Sequence, residues 1–407
     1  MVVFGSFDSV YTEFVMNYED RWLLPEGVDE ILPESANNIE LSRRKLIDLY
    51  RNWGYELVIP PMIEYTDSLL IGLGKDIDLL TFRLTDQLSG RMLGVRADIT
   101  PQIARMDAHS FKREGVSRLC YSGHVLHTKP KTALATRSPI QVGVELFGSS
   151  TLGSDIEVVS LLLESLQLLQ MPELNIDLGH VAIYRAIVKA CGISELDEAH
   201  FFELLQKKAV TEINSWVTAN IEDPQHQQWL MALPNLAGGE EVFAKARRLF
   251  GGQFVEIEAA LAELEQIAKV VKQRFSLVNL YFDLSEVRGY HYHTGIVFAA
   301  FAKGFGDAIA RGGRYDDIGK VFGRARPAIG FTIDLTTVYQ MMQLTDCSDI
   351  AVWAPYSEDP QQWQFVQRLR AEGRKVVTAL DENDRPDSSC QDSIVFENNQ
   401  YQVKTTR

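Results

Sequence analysis

Residues Gln141 to Phe147 alternate strictly, with Gln141, Gly143 and Glu145 on one face of an extended strand and Val142, Val144 and Leu146 on the other. The apolar face has to be buried, while the opposite face is polar and open. This predicts a sheet whose underside packs on helices and whose upper side lines a pocket, which antiparallel sheets permit.

The flanking sequence supplies the other parts. Ile39, Leu46, Leu49, Tyr50 and Trp53 share one face of a helix over 38–53, and Gly54 follows where a left-handed cap would sit. Tyr55 to Ile59 reads as a strand stopped by Pro60-Pro61, because neither proline can donate to a ladder. A second helix starts at Thr100, whose hydroxyl can cap the first turn, with Pro101 in the first helical position and Asp98 in the preceding turn. Further strands are expected at 118–122 and 125–128, the latter joined to the Gln141 strand by a basic loop with Lys129, Lys131 and Arg137. A stretch rich in Leu, Ala, Glu, Lys and Gln, about 182–274, reads as a helical insertion, after which strands resume at 276–284. Then come the turn Val287-Arg288-Gly289, a strand over 292–301, the loop Gly304-Phe305-Gly306, and a helix over 328–342 that closes the core. From Ser348 the chain offers a strand, a helix, a second strand and a hairpin.

At 407 residues the chain exceeds one ordinary domain. We expect an N-terminal extension, 1–19, open to disorder, a core over 20–343 carrying the insertion, and a short α/β unit over 344–407. Hydrophobic residues at 46% and charged residues at 23% provide for a buried core. The apolar run 156–169 is broken by Glu157, Ser160, Glu164, Ser165 and Gln167, so it is an amphipathic helix and not a membrane span. The first fifteen residues lack a basic segment of the secretory type, and Met16 is a candidate start. Cys120, Cys191, Cys347 and Cys390 form no CxxC pair, which argues against a zinc site or a disulfide framework and for a cytoplasmic protein. A net charge of -15 repels polyphosphate and disfavours nucleic acid as a partner.

Six segments in order resemble histidyl-tRNA synthetase: Leu24-Pro25-Glu26-Gly27, Tyr55 to Glu64, Arg96 to Arg105, Tyr121 to Gly148, Arg288 to Phe298, and Gly312 to Phe331. The resemblance implies an α+β fold of the class II aminoacyl-tRNA synthetase type, a mostly antiparallel sheet flanked by helices. It also shows where the chain departs from that chemistry. In place of the Phe-Arg-x-Glu that holds ATP stand Leu126-His127-Thr128-Lys129, and Thr337 stands where a second arginine is expected, with Asp334 nearby. Losing two cationic contacts to the reacting phosphate lowers the rate on the order of 10³-fold or more, so adenylation is not expected.

The amino-acid side of the pocket keeps its pattern. By resemblance Asp98 takes the ammonium of histidine with Thr100 beside it, and Gln141 and Glu145 form the floor. Arg288 meets the carboxylate, and Tyr292 and Tyr315 stand near the imidazole, whereas His293 replaces a further tyrosine. A zwitterion needs an acid, a base and a ring partner, so the set is chemically coherent. Together with Arg96-Ala97-Asp98-Ile99-Thr100-Pro101-Gln102, the string Gly289-Tyr290-His291-Tyr292-His293-Thr294-Gly295 and the shortened C-terminal unit, this resembles the ATP phosphoribosyltransferase regulatory subunits. That resemblance implies a non-catalytic chain without cofactor that binds histidine as effector. It further implies self-dimerisation and assembly with a short catalytic subunit as a hetero-octamer of four chains of each kind.

Plainer readings accompany these. A helix cap is the lesser alternative for Asp98 and a solvated or Arg137-paired carboxylate one for Glu145, while Arg288 serves equally as a structural ion pair. His291 and His293 have the spacing of a metal pair but no third ligand near in sequence. The run Gly304 to Gly319 lacks a Gly-Lys-Ser/Thr ending and reads as a hairpin rather than a phosphate loop. The competing functions are an active histidyl-tRNA synthetase and a class II-like enzyme that activates an amino acid for another acceptor.

Overall fold

Nine strands form the main sheet in the computed structural model, which describes residues 23–70, 75–131, 135–286, 292–342 and 350–405. Their spatial order is Glu56–Leu57, Ser117–His124, Ile140–Phe147, Ala328–Asp334, Ala310–Arg314, Ile296–Ala302, Leu174–His180, Asn279–Asp283 and Ala237–Gly238. Neighbours run antiparallel except at two places, Glu56–Leu57 beside Ser117–His124 and Leu174–His180 beside Asn279–Asp283.

The register follows from the alternation. Val144 pairs with Phe331, and Phe331 with Gly312, so Val142, Val144, Leu146, Ile329, Phe331 and Ile333 share one face. That face is buried against helices Pro33–Asn52, Leu152–Leu168 and Val255–Arg274 in one apolar core. The helix over Pro33–Asn52 starts earlier than its apolar periodicity suggests, because Pro33 occupies the first turn without loss of a hydrogen bond. It ends at Gly54, whose φ of 84° completes the turn.

The opposite face carries Gln141, Gly143 and Glu145 beside Asp334, Thr332 and Gly330. It is not open. Helix Thr100–Arg105 and a second apolar cluster of Ile99, Ile103, Leu119, Tyr121, Val125 and Tyr315 cover it, leaving Gln141 6% and Glu145 1% exposed.

Other expectations are corrected. The span 328–342 is not one helix: Ala328–Asp334 is a central strand, and only Leu335–Met341 is helical. Ile329, Phe331 and Ile333 alternate with Ala328, Gly330 and Thr332, which is the period of a strand. Residues 125–128 form no strand, because their N–H groups bond to scattered partners, Pro139, Arg96, Arg137 and Leu80. The strand after Tyr55 is confined to Glu56–Leu57, and the one expected from Tyr292 begins at Ile296. Leu174–His180, which carries no assignment from sequence, is a full strand inside the sheet.

The insertion is six helices, from Val181–Cys191 to Val255–Arg274, interrupted by the two-residue strand Ala237–Gly238 that pairs with Asn279–Asp283. Phe201, Leu205, Ile213, Val217, Leu230 and Leu261 from these helices belong to the same apolar core as the sheet. A three-stranded sheet of Ile63–Tyr65, Met92–Val95 and Phe82–Thr85 stands apart from the main one.

The described residues fall into two compact units, the second beginning after Met342. That second unit has four strands ordered Val376–Thr378, Ala351–Ala354, Cys390–Glu397 and Gln400–Thr405, with helix Pro360–Ala371. Val352, Ala354, Val366, Leu369, Val376 and Ile394 form its core. Its hairpin turns on Asn398-Asn399, both at positive φ, the conformation that two-residue hairpin loops require. Among the described residues no helix is long and apolar enough to cross a membrane. The expected extension over 1–19, the turn at 287–289 and His291 lie outside the described residues.

Candidate functional site

Glu145 is the centre of the polar face. Its Oε1 accepts from the Thr100 hydroxyl at 2.7 Å and from the Tyr121 hydroxyl at 3.3 Å, and its Oε2 accepts from the Tyr315 hydroxyl. Tyr121 also lies 3.1 Å from Thr100 Oγ1 and 2.6 Å from Thr332 Oγ1, so three hydroxyls donate to one carboxyl and a fourth bonds to one of those donors. Close packing of this kind needs bare backbone opposite. A Cβ on Gly330 would stand 1.7 Å from Glu145 Oε2, and one on Gly143 would stand 2.5 Å from the Tyr121 hydroxyl.

Thr100 begins its helix as expected, but its hydroxyl does not cap it. The side chain turns into the site, and Asp98 Oδ1 accepts from the Thr100 N–H at 3.3 Å instead. Gln141 anchors the same turn, its Oε1 accepting from Ile99 N–H at 3.1 Å and its amide reaching Asp98. The structure thus brings Asp98, Thr100, Gln141, Glu145 and Tyr315 into one network. Tyr292 joins it by stacking on Tyr315 with ring centroids 5.0 Å apart, and its hydroxyl is buried with no partner among the described residues. Arg288 lies outside the described residues.

The electrostatics are unusual. Burial pushes Glu145 up to about 8, and the nearby Asp98 carboxyl adds to the shift against the pull of three hydroxyl donors. Asp98 is also raised by burial, offset in part by Lys131. Among the described residues neither carboxyl is in an ion pair. A buried and a half-buried acid with no ion-pair partner among the described residues suit a ligand that brings positive charge or N–H donors. Arg137 is not a partner of Glu145: its guanidinium donates to the carbonyls of His127 and Glu26.

Two of the positions near those that resemblance assigns to ATP, His127 and Asp334, are tied into the structure. His127 is 1% exposed, its Nε2 sits 3.0 Å from Ala97 O, and burial, with Lys131 adding, lowers it to about 4, so it carries no charge at neutral pH. Lys129 is exposed. Asp334 caps helix Leu335–Met341 by accepting from Thr337 N–H at 3.1 Å, and burial raises its pKa. No arginine occupies these places.

Tyr121, Thr332 and Gly330 are site residues not anticipated from sequence, whereas Gly143 lies on the polar face as expected. The signal for Tyr121 was its register, since it pairs with Gly143 and so shares the face of Gln141 and Glu145.

Known proteins resemble this chain over nearly its whole length. Residues 27–338 match the histidyl-tRNA synthetase family, and residues 349–404 match the ATP phosphoribosyltransferase subunit HisZ C-terminal domain. The ATP phosphoribosyltransferase regulatory subunit of Cellvibrio japonicus is 56% identical over 389 residues, covering 96% of this chain and 98% of the relative. This chain belongs to the ATP phosphoribosyltransferase regulatory subunit family. Another member, from Teredinibacter turnerae, is 54% identical and covers 96% of this chain and 100% of its own length. A solved ATP phosphoribosyltransferase regulatory subunit/histidyl-tRNA synthetase from Bacillus halodurans superposes with a TM-score of 0.81 at 26% identity, covering 91% of this chain and 97% of that one. The histidyl-tRNA synthetase of Nostoc reaches 0.75 at 16% identity over 92% of this chain and 91% of its own, which shows the shared class II fold. Membership of the regulatory family, as opposed to the synthetase family, assigns the chain no catalysis of its own.

Proposed function

We propose that this chain is a histidine-responsive regulator that docks on a separate, short ATP phosphoribosyltransferase catalytic subunit. It activates that subunit when histidine is absent and restrains it when histidine fills the pocket. The reaction controlled joins ATP to phosphoribosyl pyrophosphate, the entry step of histidine biosynthesis. Asp98 receives the ligand ammonium, Glu145 and Tyr315 with Tyr292 face its ring, Thr100 and Gln141 orient the two acids, and Arg288 meets its carboxylate.

One observation supports this reading most strongly. Glu145 is buried and Asp98 half-buried near the Tyr292 hydroxyl, which has no partner among the described residues, while the positions that resemblance assigns to ATP hold a neutral His127 and the acid Asp334. The site can therefore hold an amino acid without activating it. By family resemblance the regulatory chain pairs with itself and assembles with the catalytic chain four to four, in the cytoplasm and without nucleic acid.

The test is reconstitution. A short catalytic subunit from the same source should gain phosphoribosyl transfer activity with this chain and lose it on addition of histidine. Activity that ignores this chain, or a complex that ignores histidine, would overturn the reading. A coupling of roughly 5- to 150-fold between effector and activity is typical of such linkage.

A further inference from the structure

The residues just after Tyr292 are fastened to both neighbours of Tyr315. The ladder between strands Ile296–Ala302 and Ala310–Arg314 ends with Val297 opposite Gly313. Beyond it, one residue carries the pairing on. Thr294 donates its N–H to Arg314 O at 2.7 Å, and its hydroxyl oxygen accepts from the Asp316 N–H at 3.0 Å. A side chain thus takes the place of a backbone carbonyl where the strand has ended, and Tyr315 lies between the two bonds.

Residues 314–316 are themselves fixed. Asp316 Oδ1 accepts from the Ala328 N–H at 3.0 Å and from Arg314 Nη1 at 3.2 Å, and Tyr315 donates its N–H to Ala328 O at 2.8 Å. These bonds tie them to strand Ala328–Asp334, where Gly330 lies against Glu145. The two segments also run close together: a Cβ on Gly295 would stand 2.9 Å from Arg314 Cδ, and one on Gly313 would stand 2.6 Å from His293 Cδ2. Only His293 separates Thr294 from Tyr292 in the chain. The Tyr292 ring stacks on the Tyr315 ring with centroids 5.0 Å apart and planes 24° apart, and Tyr315 donates to Glu145.

We propose that Thr294 is a positioning residue for the effector pocket, its hydroxyl setting the Tyr292 ring on Tyr315 and so fixing the aromatic side of the site. This rests on the amino-acid reading of the pocket. A stack set in advance asks less ordering of the ligand than a ring the ligand must gather itself. Removing the hydroxyl frees that end of the segment and leaves the Asp316 N–H without its acceptor. By linkage the effect is reciprocal, so a bound ligand protects the Asp316 N–H as the hydroxyl protects the stack.

The experiment is histidine titration of the full chain by calorimetry, for wild type, Thr294→Val and Thr294→Ser, with the ligand-free melting temperature measured alongside. Valine keeps the shape of threonine and removes the hydroxyl, whereas serine keeps the hydroxyl and removes the methyl. Thr294→Val is expected to bind histidine about 3- to 10-fold more weakly, and Thr294→Ser to stay within about 2-fold of wild type. A purely structural threonine would lower melting in either variant and leave the affinity of the folded chain untouched. Equal affinity in wild type and Thr294→Val would overturn the proposal while leaving the pocket reading intact, as would a loss that serine does not restore. A wild type that binds no histidine would overturn both. Should Thr294→Val fail to fold, hydrogen exchange of the wild type decides. Histidine should slow the Asp316 amide, and unchanged exchange there, with slowing at Asp98 to Thr100, would sink the proposal.

Discussion

Glu145 is held toward its protonated form at neutral pH, because burial costs its charged form more than three hydroxyl donors return. Its ordinary value of 4.5 rises to about 8 on folding. The folded state then binds the extra proton between those two values. The associated stability is fully present below about pH 4.5 and declines as pH rises toward about 8. Asp98, raised by the same burial, acts in the same direction. Melting of the ligand-free chain should therefore fall across this interval, and Glu145→Gln should flatten the dependence; an unchanged slope would refute the assignment. Histidine binding at pH 7 should release a proton, read by calorimetry in buffers of different ionisation enthalpy. Gly330→Ala sets a Cβ against Glu145 and the Val144 carbonyl, and should cost about 1–3 kcal/mol of stability along with the histidine response, measured by denaturant melts. Asp98, Gln141 and Glu145 were legible because motif and period act on them locally. Tyr121 and Thr332 were not, since they meet Glu145 only through pairing across three strands.

Elements were legible where one physical signal dominated. Helix Pro33–Asn52 has a stripe of Ile39, Leu46 and Tyr50 and a glycine stop, and helix Thr100–Arg105 has proline in its first turn. The span 328–342 misled because a buried strand runs directly into a helix, and Asp334, the cap that divides them, reads as an acid until its bond to Thr337 N–H is seen. Leu174–His180 alternates cleanly but is sandwiched between two helices, so its period is short against its surroundings. Long-range ion pairs leave no local trace at all. Arg314, beside Tyr315, reaches Asp155 at 2.7 Å and Ser154 at 2.9 Å on the helix Leu152–Leu168, with side chains 9% and 5% exposed in the ion pair. Burial nevertheless raises Asp155 to about 6, so the pair does not fully offset desolvation. Arg314→Leu strands that acid in the interior and should cost about 3–5 kcal/mol in denaturant unfolding. The double variant Arg314→Leu with Asp155→Leu should recover much of the loss, and failure to recover would place the cost elsewhere.

Over the whole molecule, the proposed regulator is one fold that holds an amino acid and lacks arginine at the positions that resemblance assigns to ATP. Both features are readable as residue identities, at Asp98 and Glu145 on one side and His127, Lys129 and Thr337 on the other. Their meaning depends on geometry that sequence does not give, namely the enclosure of Glu145 and the capping role of Asp334. The measurement that tests this most directly is the melting curve of the isolated chain with histidine, with magnesium-ATP, and with both. At a hundred times its dissociation constant histidine should stabilise the chain by about 2.7 kcal/mol, and ATP should add nothing, alone or on top of histidine. Stabilisation by ATP, or none by histidine, would contradict the account.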